Sequence, residues 1–408
     1  MSACTAVPGL SPTAAGVDAR RRAAGEFSFP DGIRAGQSCT VEQCVAIALW
    51  NSPDYQTALA DLGLARADIV KAGQITNPSL AALFPSDAKA FETAVKLPLD
   101  ALWLRPQRMR IASLDAEATA ARLMQAGADL ARDVRVAAAK VLQVRRQSRL
   151  AGENAALFEE MVRIAGTRQK AGENSDLEVT QARADAALAA QERERLKYEE
   201  TMALEKLRSL MGMARQPSAL ALSDSGAAAA PSVSVSAAVQ EAIRSRPDVR
   251  AAELAVIAAG QRAGLAQAEI LSLTASAKYT NRAGTQPGFD LQLPLFHQNQ
   301  AARSQAAAQL DKALHQLSAA RHRAAADARE ATARLSQARA VASGWDKVLP
   351  ELERALETAR RPVTEGDAPP TAPLDAARRL AEARAKAAES EFRLREAAAE
   401  CRRAAGKS

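Results

Sequence analysis

KLPLD at 96–100 and QLPLF at 292–296 make the same junction twice, about half a chain apart. Each ends a run of alternating apolar and polar residues and leads directly into a long Ala-rich helical pattern. Alternation at period two belongs to a strand with one apolar face, whereas apolar steps of three, four and seven belong to a helix. A chain that changes period at one motif twice reads as an internal duplication, and duplication constrains the fold before any other property does.

The register confirms this. VEQCVAIALWNSPDYQTA (41–58) set on VSAAVQEAIRSRPDVRAA (235–252) places Val41 on Val235, Val45 on Val239, Leu49 on Ile243 and Pro53-Asp54 on Pro247-Asp248. The same offset carries Gly172 onto Gly366, and the LPL junctions agree within two residues. The expected organisation is a flexible N-terminal segment over 1–39, a first repeat over 40–212, a linker over 213–232 and a second repeat over 233–408.

Each repeat follows one plan. A short helix ends near Ser-Pro-Asp or Arg-Pro-Asp, and proline at an early helical position starts a second helix. Two extended segments follow: 78–84 and 91–100 in the first copy, 270–280 and 289–296 in the second. LSLTASAKYT alternates throughout, with Leu271, Leu273, Ala275, Ala277 and Tyr279 opposed to Ser272, Thr274, Ser276, Lys278 and Thr280. FETAVKLPL does the same, while SLAALF alternates poorly. PSDAKA (85–90) and NRAGTQPG (281–288) have turn chemistry and are read as the hairpin loops. Helices are expected over 104–166 and 177–212, then over 298–359 and 374–405. Sixty residues of helix reach ~90 Å.

Composition agrees with long helices: of 408 residues only 3% are aromatic and 25% are charged. The net charge of +7 raises nucleic-acid binding, but Arg and Lys alternate with Glu and Asp along the helices as on a solvated, ion-paired surface. No apolar run reaches the ~18 residues of a membrane-spanning helix. Cys39, Cys44 and Cys401 show no metal-ligand spacing, and Cys39 and Cys44 read as packing residues flanking a helix start. His297, His315 and His322 read as surface residues. No phosphate loop, nucleophile elbow or catalytic pairing is present, so neither an enzyme nor a cofactor is expected.

Two hairpins per chain give four strands, too few to close a barrel alone, and open edges cannot sit in lipid. Oligomerisation resolves this, because strands of about ten residues with apolar-out, polar-in alternation are those of a water-filled membrane barrel. Phe84, Phe91, Tyr279 and Phe289 are expected to border the hairpin loops, with Trp103 and Phe296 at the opposite strand ends.

VEQCVAIALWNSPDYQTA followed by KAGQITNPSL, the two hairpin-LPL-helix junctions, RQKAGENSDLEVTQARA and RPDVRAAELAVIAAGQRAGLAQAEILSLTASAKYT together resemble the TolC family of outer-membrane efflux factors. The likeness is nearest its CzcC-like and related branches and runs from about residue 40 to 400. It implies a mainly α chain with a small β part: a homotrimer whose twelve strands form an outer-membrane barrel, continued by a periplasmic α-helical barrel. It also implies a passive exit duct that meets a periplasmic adaptor protein and an inner-membrane transporter. Pro98 and Pro294 then mark where barrel strand becomes tunnel helix. The helix-turn-helix tips would contact the adaptor through Arg168, Gly172 and Leu177, and through Gly366 and Leu374. The APPTAP insertion (368–373) sets the second turn apart from the first. Acidic residues lining the closed entrance would be Asp375 and Glu178, and each also reads as an ordinary acid at a helix N-terminus.

The opening MSACTAVPGLSP reads two ways: a disordered tail with an incidental Cys4, or the end of a lipobox whose leader is missing, with Cys4 as the lipidated residue. The competing reading of the whole chain is a soluble periplasmic coiled-coil scaffold or adaptor whose strands are covered by protein. A basic nucleic-acid binder has little support from the repeats.

Overall fold

The computed structural model describes residues 27–30, 33, 38–84, 91–172, 175–215, 221–224, 234–270, 272–281, 284–292, 294, 298–364 and 371–406. The first repeat contains α1 (Val41–Asn51), α2 (Pro53–Gly73), β1 (Ser79–Leu83), β2 (Glu92–Pro98), α3 (Asp100–Lys170) and α4 (Asp176–Leu210). The second contains α5 (Val235–Ser245), α6 (Pro247–Ala268), β3 (Ser272–Thr280), β4 (Gly284–Gln292), α7 (Gln300–Thr364) and α8 (Thr371–Ala404).

Local chemistry accounts for the helix starts. Thr40 caps α1: its Oγ1 accepts the Gln43 amide at 3.3 Å while Gln43 Oε1 accepts the Thr40 amide at 2.8 Å, a reciprocal capping box. α1 and α5 are each 11 residues long, and α2 and α6 both begin on proline, whose missing N–H costs nothing at a first helical position.

Two compact units emerge. One comprises residues up to Gln56, Gly127–Ala238 and Ala328 onward. Its core joins Cys44, Val45, Ile47 and Ala48 of α1 to Val134, Ala138 and Val141 of α3, Leu207 of α4 and Met211 and Met213 beyond it. Phe27, Phe29 and Ile33 pack against this cluster, and Asn51 Nδ2 donates to the Ser28 carbonyl at 2.9 Å. Gly212 has φ +71°, and a Cβ there would stand 2.5 Å from the Asn51 carbonyl oxygen, so the chain leaving α4 needs glycine at this point. Arg146 of α3 pairs with Glu391 of α8 at 2.8 Å.

The other unit comprises Thr57–Ala126 and Val239–Asp327 and holds the sheet. Arg105 Nε donates to the Gly73 carbonyl at 2.7 Å, and Arg262 of α6 pairs with Asp115 of α3. Arg246, 3% exposed, grips Asp248 through two nitrogens at 3.0 and 2.7 Å and Asp327 of α7 at 2.8 Å. Burial works against its charge, but the two carboxylates outweigh it and hold its pKa above the ordinary value.

Some elements differ from expectation. β4 begins at Gly284 rather than near 289, so most of the segment read as a loop is strand, with Pro287 opposite Ala277. Proline tolerates this place because β4 is an outer strand of the sheet. Phe289 therefore sits opposite Ala275, well inside the sheet and away from the loop, while Phe296 lies outside the described residues. α3 starts at Asp100, directly after the junction, and α7 runs through Gly344 and Pro350 to Thr364. α8 starts at Thr371 with Pro373 in its first turn, so residues 371–373 of the Pro-rich insertion are helical, while 368–370 lie outside the described residues.

Candidate channel wall and tip turns

The sheet has the order β1-β2-β3-β4, antiparallel throughout. The register sorts side chains onto two faces, because alternate residues point to opposite sides. Leu80 and Ala82 fall in line with Thr93, Val95 and Leu97, then with Leu273, Ala275, Ala277 and Tyr279, and finally with Thr285, Pro287, Phe289 and Leu291. The opposite face carries Glu92, Ala94 and Lys96, then Ser272, Thr274, Ser276, Lys278 and Thr280, then Gln286, Asp290 and Gln292. Lys278 pairs with Glu92 at 2.8 Å on this polar face.

The apolar face stays open in the chain: Leu80 is 71% exposed and Phe289 76%. Phe84 and Phe91 flank the first hairpin loop with ring centroids 5.3 Å apart. Among the described residues no helix is long and apolar enough to cross a membrane. The weak alternation of SLAALF resolves in the pairing, which puts Leu80 and Ala82 on the apolar side and Ala81 and Leu83 on the polar one.

The two junctions are alike in motif and unlike in detail. At the first, β2 ends on Pro98, the Leu99 amide donates to the Leu273 carbonyl at 2.8 Å, and α3 follows at once. At the second, β4 is described as far as Gln292, and Leu293 lies outside the described residues. Half-buried Pro294 lies between strand and helix, and Asn299 enters α7 with φ +56° while its Nδ2 donates to the Ala266 carbonyl at 3.0 Å. A residue without a backbone donor fits the end of a ladder in both places.

At the first tip, Gly172 has φ +79° and follows α3, whose Gln169 carbonyl accepts its amide at 2.9 Å. Arg168 is half-buried one turn earlier, and Leu177, at the start of α4, is 65% exposed. Glu178 completes a capping box: its carboxylate accepts the Ser175 amide at 2.9 Å, and Ser175 Oγ accepts the Glu178 amide at 3.3 Å. At the second tip Leu374 is half-buried and Asp375 exposed in the first turns of α8, while Gly366 lies outside the described residues, as does Cys4. The structure thus leaves the Asp375 carboxylate facing solvent and engages the Glu178 carboxylate with its own backbone.

Contacts between the helix pairs were invisible in the sequence. Arg378 of α8 lies over the Phe158 ring of α3 at 5.8 Å, and Lys140 lies over the Phe392 ring at 5.7 Å. Gln147 Nε2 donates to the Ala385 carbonyl at 3.4 Å. Partners more than two hundred residues apart leave no local pattern that would reveal them.

A two-faced sheet of hairpins that feeds long paired helices, twice per chain, is the protomer fold of an outer-membrane channel. The sequence model of the outer membrane efflux protein family matches residues 45–213 and again 238–407, and the chain belongs to that family. The outer-membrane location and efflux role come with that membership. Among solved structures, CusC aligns with TM-score 0.74 and 18% identity over 94% of this chain and 99% of its own. VceC, the outer membrane protein of Vibrio cholerae, aligns with TM-score 0.72 and 18% identity over 90% and 96%. The CmeC outer membrane channel of Campylobacter jejuni aligns with TM-score 0.73 and 15% identity over 93% and 90%. No curated protein matches the sequence.

Proposed function

We propose that the chain is the passive outer-membrane exit duct of a tripartite efflux or type I secretion system. Three copies share a twelve-stranded barrel, and the long helices form its periplasmic extension. The sheet carries this reading. One face is apolar and open, the other is polar, and β1 and β4 are outer strands, each with a single neighbour in the sheet. Lipid outside, water inside and neighbouring copies along both edges satisfy all three conditions at once.

The tip turns then dock a periplasmic adaptor through Arg168, Gly172, Leu177, Gly366 and Leu374, with an inner-membrane transporter supplying the energy. Threefold symmetry would turn Asp375 into an acidic ring that favours cations at the entrance. Its exposure supports it over Glu178, whose carboxylate is held in the capping box. Cys4 would carry a lipid if a leader precedes it. The scaffold alternative requires protein cover on the apolar face, which the exposed Leu80 and Phe289 argue against.

The test is the mass of the detergent-extracted complex from cells exporting the chain behind a working signal. About three times the 43.1 kDa chain mass in the outer-membrane fraction is expected. A soluble monomer or dimer would favour the scaffold instead.

A further inference from the structure

Thr40 is the N-cap of α1, so Cys39 stands immediately before the cap and Cys44 is the fourth helical residue. Those two positions form the hydrophobic staple of a helix start: the extended cap reverses the chain and sets the two side chains against each other. The capping box fixes that reversal, with Thr40 at φ −76° and ψ 163°. Cys39 is further pinned, its amide donating to the Ala221 carbonyl at 2.8 Å and its carbonyl accepting the Ser223 amide at 2.9 Å. Both sulfurs are thiols in the structure, and both side chains are buried in one cluster, at 3% and 0% exposure. A staple of two cysteines brings together, within a six-residue stretch, the side chains that a disulfide joins.

We infer that Cys39 and Cys44 form a disulfide during export, stapling the segment before α1 to the helix that anchors the first unit's core. The inference rests on the outer-membrane placement, which takes the chain through an oxidising compartment. The oxidant is a thiol–disulfide oxidoreductase in its disulfide form. One cysteine thiolate attacks the donor's disulfide, forming a mixed disulfide and releasing one donor thiolate. The other cysteine thiolate then displaces the second donor sulfur. Two electrons pass to the donor, and the two protons given up by the cysteines end on its thiols.

The step belongs before folding is complete. Once buried, Cys44 is pushed up to about 12, chiefly by desolvation, with Cys39 adding to it, so little nucleophilic thiolate remains. Phe27, Phe29 and Ile33, which pack on the same cluster, would be held in place by the bond.

The full chain, exported behind a signal sequence, is recovered from the outer-membrane fraction, denatured in excess maleimide without reductant, and digested. The peptide spanning both cysteines is expected unlabelled and about 2 Da lighter than its dithiol form, taking two labels after reduction. In Cys44→Ser, Cys39 should label without reduction. Full labelling of both residues in outer-membrane protein overturns the inference alone, as does a bond from either one to Cys4 or Cys401. A chain missing from the outer-membrane fraction would overturn the location and the inference with it.

Discussion

Two adjacent residues of β3 should respond in opposite ways to the same substitution. Ala275 lies on the apolar face between Leu97 and Phe289, one residue from Ser276 at the middle of the nine-residue strand. Thr274 lies on the polar face, opposite Pro98 and Asp290. An arginine on the lipid face costs about 2–4 kcal/mol at the bilayer midplane and about 0–1 kcal/mol near the interfaces. Three copies forming one barrel place about 6–12 kcal/mol on the assembly of Ala275→Arg. At about 1.4 kcal/mol per tenfold change, that is a loss of more than ~10⁴ in the trimer-to-monomer balance. Thr274→Arg meets water and the Asp290 carboxylate and should cost little. Outer-membrane yield and the temperature at which the detergent-resistant oligomer dissociates on a gel measure the difference. Equal losses in the two variants, or a greater loss in Thr274→Arg, would refute the assignment of the faces.

Other consequences are local. Arg246→Ser, which copies Ser52 of the first repeat, removes the buried cation that Asp248 and Asp327 share and should cost about 3 kcal/mol, seen as a lowered Tm of the purified protein. Gly212→Ala should lower Tm well beyond Gly172→Ala. Both glycines have positive φ, worth about 1–2 kcal/mol each, but only at Gly212 would the new Cβ press on a carbonyl, that of Asn51, whereas Gly172 faces open space. The Glu42 carboxyl is held below its ordinary pKa by its hydrogen bond from Arg135, against opposing desolvation. Its contribution is thus present above the unfolded carboxylate pKa and lost as pH falls through the depressed folded value. Glu42→Gln should flatten that acid limb of a Tm-against-pH curve and leave its alkaline limb unchanged.

The repeats, the helix-strand order and the polar and apolar faces of β2 and β3 could be read from the sequence because each rests on a local period. LSLTASAKYT shows its two faces as written. β4 could not be read this way. Pro287 and Gly288 carry turn chemistry, and only the pairing with Ala277 and Ser276 shows that this outer strand tolerates both. The second junction differs in a way that the shared LPL motif did not announce: Asn299 enters α7 with φ +56°. At the tips, Gly172 announced its turn, and Ser175 three residues before Glu178 carries the capping-box spacing that turns the Glu178 carboxylate back onto the Ser175 amide. The Arg378–Phe158 and Arg146–Glu391 contacts depend on how the repeats pack, which no short stretch encodes.

The central claim is that this sheet separates lipid from water. A nitroxide placed in turn at positions 273–279 of the membrane-reconstituted protein, with the native cysteines replaced, tests it residue by residue. Collision rates with oxygen, which concentrates in lipid, should peak at 273, 275, 277 and 279. Rates with a water-soluble nickel chelate should peak at 274, 276 and 278. Low accessibility to both reagents along the whole strand, or no alternation between them, would mean that protein covers the sheet and would contradict the account.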